Sequence, residues 1–296
     1  MKKTILVICS AVLMAACNNT TDKIKKDMNN LTFNEKQASC ISAIACYEAQ
    51  GNLGKLAESI NEGLDAGLTV SQVKEALSQL YAYTGFPRSL NALGTLQKVI
   101  DQRKAEGKTT LEGVDASPLP SDYDALKQGT EVQTQVTGQP FNYAFSPAED
   151  YYLKAHLFGD IFARDNLTFA DRELITVSAL SGLENVMPQL QAHVRGALNM
   201  GLTQEQLNAI PAALKANSLL SEASRAEAAI AMVVNGQTMP SSPSVWPLGE
   251  PNTAYAQYFV GNSYLAVLDQ SGLCNVTFEP RCRMICFQKM IIHNFV

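Results

Sequence analysis

Apolar residues recur at helical spacing through most of this chain. Leu56, Ile60 and Leu64 lie on one stripe, and Leu190, Val194, Ala197 and Leu198 lie on another. Over residues 33–106 the pattern predicts four helices, running about Asn34 to Gln50, Lys55 to Ala66, Thr69 to Thr84 and Pro87 to Arg103. Over 146–235 helical periodicity returns. One helix runs from Ser146–Pro147 toward Arg164, a second opens near Asp171, and a third runs from Asn185–Pro188 to Gly201. Another follows Thr203, and a last one spans about Ser221 to Val234.

One phrase occurs twice, 134 residues apart: Leu64, Gly67, Leu68, Thr69 and Gln72 answer to Leu198, Gly201, Leu202, Thr203 and Gln206. Each copy reads as a helix end followed by a helix start. The Gly suits a left-handed residue beyond the last turn. The Thr suits an N-cap, with the Gln three residues on completing a capping box. Two copies of one helical unit follow. Between them, 107–145 is polar and rich in Pro, Gly, Ser and Thr, and is expected to be a linker with a short helix around Asp122 to Lys127. Residues 236–251 hold four prolines and read as a second linker. In 252–296 the segments Tyr255 to Tyr264 and Leu273 to Phe278 are aromatic and β-branched, as strands are. They are too few for an independent β domain and are expected as an exposed edge. The predicted fold class is therefore all-α, two tandem helical units with a short incomplete β tail.

The remaining segments have other signatures. Lys2 and Lys3 precede an apolar run to Met14 and then Ala15, Ala16 and Cys17, the pattern of a signal peptide over 1–17. The Ala-Ala-Cys ending resembles a bacterial lipoprotein signal, which implies a lipid on Cys17, a polar tether over 18–32 and residence in the cell envelope. Membrane association is expected through that anchor alone. A net charge of −5 without a basic cluster among aromatics argues against a nucleic-acid partner. Cys40 and Cys46 fall in one helix, about 9 Å apart along its axis and about 120° apart around it, so they should not form a disulfide. No Cys-x-x-Cys occurs.

Comparing the two copies isolates the candidate chemistry. His193 falls on the core-facing stripe of the second copy, where the first has Ser59. A histidine among Leu and Val is either a core residue bonded to a carbonyl or a group that moves protons. Glu173 is its natural partner, unless it serves the helix dipole from the first turn. Its first-copy counterpart is Gln37 if two residues are inserted. Asp160 and Arg164 stand one helical turn apart and could be a surface ion pair.

The stretches LFGDIFARDNLTFADRELIT, Leu157 to Thr176, and QLQAHVRGALNMGLT, Gln189 to Thr203, resemble the carboxymuconolactone decarboxylase family. AYTGFPRSLNAL, Ala82 to Leu93, is similar to that family's tyrosine–glycine–proline turn. The resemblance implies an all-helical homo-oligomer acting on a small-molecule substrate, with no metal or organic cofactor. It implies catalytic roles for His193 and Glu173. It also implies substrate binding at Arg164, a carboxylate clamp, and at Asp160. The family's peroxidase branch carries cysteines seven and four residues before the histidine. Here those places hold Val186 and Gln189, and in the first copy Asn52 and Lys55, so thiol-peroxidase chemistry is disfavoured. A non-catalytic helical scaffold or ligand-binding lipoprotein is the alternative. Asn252 to Arg283 has a fainter resemblance to the opening strands of a cupin whose metal motif does not follow.

Overall fold

The computed structural model describes residues 28–235, 249–253, 256, 259–267, 274–278 and 283–284. The expected leader with Cys17, most of the expected tether, Tyr255, Cys282, Cys286 and His293 lie outside the described residues. The chain divides into two compact units, Met1–Gln237 and Thr238–Val296.

The first unit is helical. Its elements are α1 (Glu35–Gln50), α2 (Leu53–Asp65), α3 (Val70–Thr84), α4 (Phe86–Ala105), α5 (Ala125–Thr137), α6 (Pro147–Tyr151), a π-helix (Tyr152–Ile161), α7 (Phe169–Ser181), α8 (Met187–Asn199), α9 (Gln204–Ala216) and α10 (Leu220–Asn235). Helices α1 to α4 and α7 to α10 are the two copies, and each helix begins 134 residues after its counterpart. The shared register extends to the ends. Gly67 and Gly201 have φ of 91° and 94°, and Thr69 and Thr203 each cap the next helix in a full capping box. Asn34 with Gln37 and Thr168 with Asp171 do the same for α1 and α7. No insertion is needed, so the counterpart of Glu173 is Ser39 rather than Gln37, and that of His193 is Ser59.

Helices α1 and α7 pack together at the centre, and α1 also touches α2, α3, α4 and α9. Most of α1 and nearly all of α7 are buried. One continuous apolar core, with Ile41, Ile44, Leu56, Leu77, Leu174, Ile175 and Leu214 among its members, crosses both copies. Residues 28–32 are pinned to the start of α7: Thr32 donates to Asp171 through N–H (2.8 Å) and hydroxyl (2.7 Å), and Phe169 N–H donates to Met28 O (2.8 Å).

The segment 107–145, expected as a linker, holds a 13-residue helix, α5, and stays within the first unit. Its helix crosses the π-helix almost backbone to backbone. A Cβ on Gly129 would collide with Lys154 O, and one on Gly159 would collide with Ala125 O. The Tyr123 hydroxyl donates to Gly159 O at 2.8 Å. Ten residues of π-helix are unusual, and such segments concentrate at functional sites.

In the second unit β1 (Glu250–Pro251), β3 (Ser263–Val267) and β4 (Cys274–Phe278) form an antiparallel sheet in the order β1-β3-β4, with Leu265 opposite Val276. A separate two-stranded pair joins β2 (Phe259–Val260) to β5 (Arg283–Met284). Among the described residues no helix is long and apolar enough to cross a membrane.

One buried carboxyl ties fold stability to pH. Glu48 is fully buried in α1; its Oε1 accepts from the Thr84 hydroxyl at 2.8 Å and its Oε2 has no protein partner. Burial pushes it up to about 7, against the downward pull of Thr84 and the Arg88 charge. Between the ordinary carboxylate range and that value, the native protein holds a proton the unfolded chain has released. Stability therefore falls as pH rises through this window. Glu48→Gln should remove that loss: thermal melts at pH 5 and pH 8 should lie closer together than in the wild type, with the gain at pH 8.

Candidate functional site

Helix α7 carries Arg172 and Glu173 side by side, both with no exposed surface. Two adjacent ionisable groups in a core need two separate sources of compensation. Adjacent residues on a helix point about 100° apart, so the two side chains go to different neighbours.

Arg172 turns to the first copy. Its Nη1 donates to Gln79 Oε1 at 2.9 Å, and its Nη2 donates to Glu75 Oε1 at 3.0 Å and to Arg164 O at 2.6 Å. The guanidinium also lies 5.7 Å from the Phe162 ring centroid. Burial lowers its pKa, and the Glu75 charge opposes that effect.

Glu173 turns to α8. Its Oε2 is 2.9 Å from His193 Nδ1. A carboxylate only accepts, so with Glu173 ionised Nδ1 is the donor and Nε2 is left with its lone pair. Nε2 meets no partner among the described residues. Gly196, one turn beyond His193, makes room for the contact. A Cβ there would stand 2.8 Å from Glu173 Oε2 and 2.9 Å from Val136 Cγ1. Glu173 lies beyond the capping residue Asp171, and its side chain does not serve the helix start. The core reading of His193, bonded to a carbonyl, does not hold: its partner is a carboxylate.

His193 opens onto a cavity of about 530 Å³ between α8, α5 and the π-helix. Val136, Leu153 and Phe158 wall it, Phe141 and Tyr143 stand on the connecting loop, and Gln189 and Ala192 line the α8 side. Tyr83, from the end of α3 in the first copy, meets the imidazole edge-on, with ring centroids 5.3 Å apart. Its hydroxyl is buried, and burial, followed by the nearby Glu173 charge, pushes its pKa up against the pull of Thr176. Sequence reasoning missed this residue as part of the site, although it lies in the stretch quoted for the turn.

Arg164 and Asp160, expected beside the substrate, are not brought to this cavity. Arg164 Nε donates to both oxygens of Glu75, at 3.0 and 2.9 Å, and its side chain lines a separate hollow with Tyr81, Phe86 and Leu90. Asp160 pairs with His156 at 2.7 Å on the surface, not with Arg164. Buried Glu75 engages Arg164 through Nε and holds it in that hollow, away from the His193 cavity. Cys40 and Cys46 both lie in α1 as free thiols; burial raises the first and pushes the second up to about 12. Among the described residues no group of three or more His, Cys, Asp or Glu could hold a metal ion.

Residues 147–232, which span α6, the π-helix and nearly all of the second copy, match the family model described as the carboxymuconolactone decarboxylase family. Peroxisomal protein 2 of Saccharomyces cerevisiae is 29% identical over 89 residues, which cover 29% of this chain and 31% of that protein. The matched region thus spans about a third of that relative's length.

Two substitutions test this arrangement. Gly196→Ala should force Glu173 and Val136 aside and cost about 1–3 kcal/mol in urea denaturation. It should also shift the His193 ring nitrogens in ¹H–¹⁵N spectra as the Glu173 contact lengthens. Glu75→Ala strands Arg172 and should cost more, about 3–5 kcal/mol, with the His193 resonances little changed.

Proposed function

We propose that the second copy is a cofactor-independent acid–base site, acting on a small carbonyl compound of the lactone or keto-acid type. One observation carries this: a histidine that lines a cavity has its Nδ1 2.9 Å from a buried carboxyl group, which when ionised fixes the tautomer and leaves Nε2 as the base. Nε2 would take a proton from the carbon next to the carbonyl, or return one to an enolate left by decarboxylation. Glu173 would hold the resulting imidazolium, stabilising charge that develops only during reaction. The family match over 147–232 is consistent with a decarboxylase-like or an alkyl-hydroperoxidase-like member. The peroxidase branch is disfavoured, since Val186 and Gln189 stand where its cysteines would be and the Cys46 thiol is held neutral by burial.

The test does not depend on the identity of the physiological substrate. The full chain is incubated in D₂O with a panel of lactones and keto acids, and deuterium uptake beside the carbonyl is followed by NMR. His193→Asn retains a donor for Glu173 but no titrating base. It should slow exchange by about 10²-fold or more. Exchange equal to the wild type across the panel would remove His193 from the chemistry. No protein-dependent exchange on any compound would favour the scaffold or ligand-binding reading.

A further inference from the structure

Part of the wall of the His193 cavity precedes the segment that matches the family model. That segment begins at 147, whereas Val136 of α5 and Phe141 and Tyr143 of the following loop line the cavity. The family match therefore does not fix what this part of the wall accepts.

The loop 138–146 carries three aromatic residues at alternate positions. Phe141, Tyr143 and Phe145 are 43%, 41% and 91% exposed. Scattered apolar residues on a surface need no explanation, but these are concentrated beside a cavity. Phe141 and Tyr143 line it, and Phe145 does not. The first two rings are 18° from parallel, with centroids 6.3 Å apart. The loop beneath them is anchored. Tyr143 N–H donates to Asp150 Oδ1 at 2.8 Å, and Ser146 N–H donates to Tyr143 O at 3.1 Å. Lys154 Nζ in turn donates to Asp150 Oδ2 at 2.6 Å. Two partly uncovered rings are thus held at the cavity before anything binds, which lowers the cost of ordering them around a ligand.

Size points the same way. The cavity's 530 Å³ lies within the roughly 300–1,000 Å³ of sites that enclose drug-sized molecules. A three-carbon keto acid or an unsubstituted lactone would leave most of that space unfilled and both rings in water. An aromatic body would fill it and cover them, adding ring–ring contact to apolar burial. Leu153, Phe158 and Pro188 extend the apolar wall around it.

Resting on the acid–base reading above, we propose that the cavity takes a lactone or keto acid carrying an aromatic ring, and that Phe141 and Tyr143 select for that ring. His193 acts beside the carbonyl as already described, and no further chemical step is added.

Two matched pairs test this: phenylpyruvate against pyruvate, and α-phenyl-γ-butyrolactone against γ-butyrolactone. Within each pair the members differ by one phenyl group on the carbon beside the carbonyl. Binding to the full chain is read by saturation-transfer NMR, and exchange of the adjacent C–H in D₂O by proton spectra. In at least one pair the phenyl compound should bind about tenfold or more tighter. The double variant Phe141→Ala with Tyr143→Ala, checked for an unchanged melting curve, should lose most of that preference. It should keep the affinity for the short partner and the exchange rate at saturation. Phe141→Leu, a milder change, should give a smaller loss in the same direction. Phe145→Ala removes a ring outside the cavity and should change neither affinity. No preference in either pair, the wild-type preference in the double variant, or an equal loss in Phe145→Ala would each overturn the proposal. His193→Asn should keep the preference and lose the exchange. A preference that depends on Phe141 and Tyr143 without His193-dependent exchange would support the ligand class and remove the acid–base reading. His193-dependent exchange without any preference would do the reverse, so the two failures are distinguishable.

Discussion

A helix buried on every side imposes the governing constraint on this molecule. Helix α7 runs through the middle of the first unit with Arg172 and Glu173 in succession, and water reaches neither. Each must be answered by protein. Glu75 and Gln79 answer Arg172 from the first copy, and His193 answers Glu173 from within the second. One pair therefore joins the copies and the other makes a site, and the same burial enforces both. Removing one partner of either pair strands a desolvated group, which is why neighbours with no catalytic part matter to the site.

The helical frame is legible in local chemistry. Capping residues, the two glycines after α2 and α8, and the apolar stripes each act over a few residues and can be read in place. The pairing of His193 with Glu173 follows from the same stripe, because a polar residue on a core face has few ways to be satisfied. What is not legible depends on distance in sequence. Arg164 finds Glu75 89 positions away, and no local pattern pairs them. Tyr83 reaches His193 from the other copy. Helix α5 reads mostly as linker because only Leu126, Val132 and Val136 give it an apolar stripe, and its close approach to the π-helix rests on two glycines that signal a loop as readily as a crossing.

The two copies share a register but divide the labour. The first contributes Glu75, Gln79 and Tyr83, which brace and border the site. The second contributes Glu173, His193 and, with α5 and the π-helix, the wall. At the positions equivalent to the dyad the first copy has Ser39 and Ser59, and the position equivalent to Tyr83 in the second is Asn217. Neither serine can titrate near neutrality, so the histidine–carboxyl pair is placed on one side of the pseudo-symmetric arrangement only.

That one-sidedness sets a stoichiometry. A chain folded like a dimer, yet carrying among its described residues a single buried imidazole–carboxylate couple, would offer one such place per polypeptide where a symmetric pair would offer two. Within one polypeptide there would then be no twin centres to communicate. Severing the chain between α4 and α5 would separate the second copy from the tyrosine that edges its histidine and the acid that anchors its arginine.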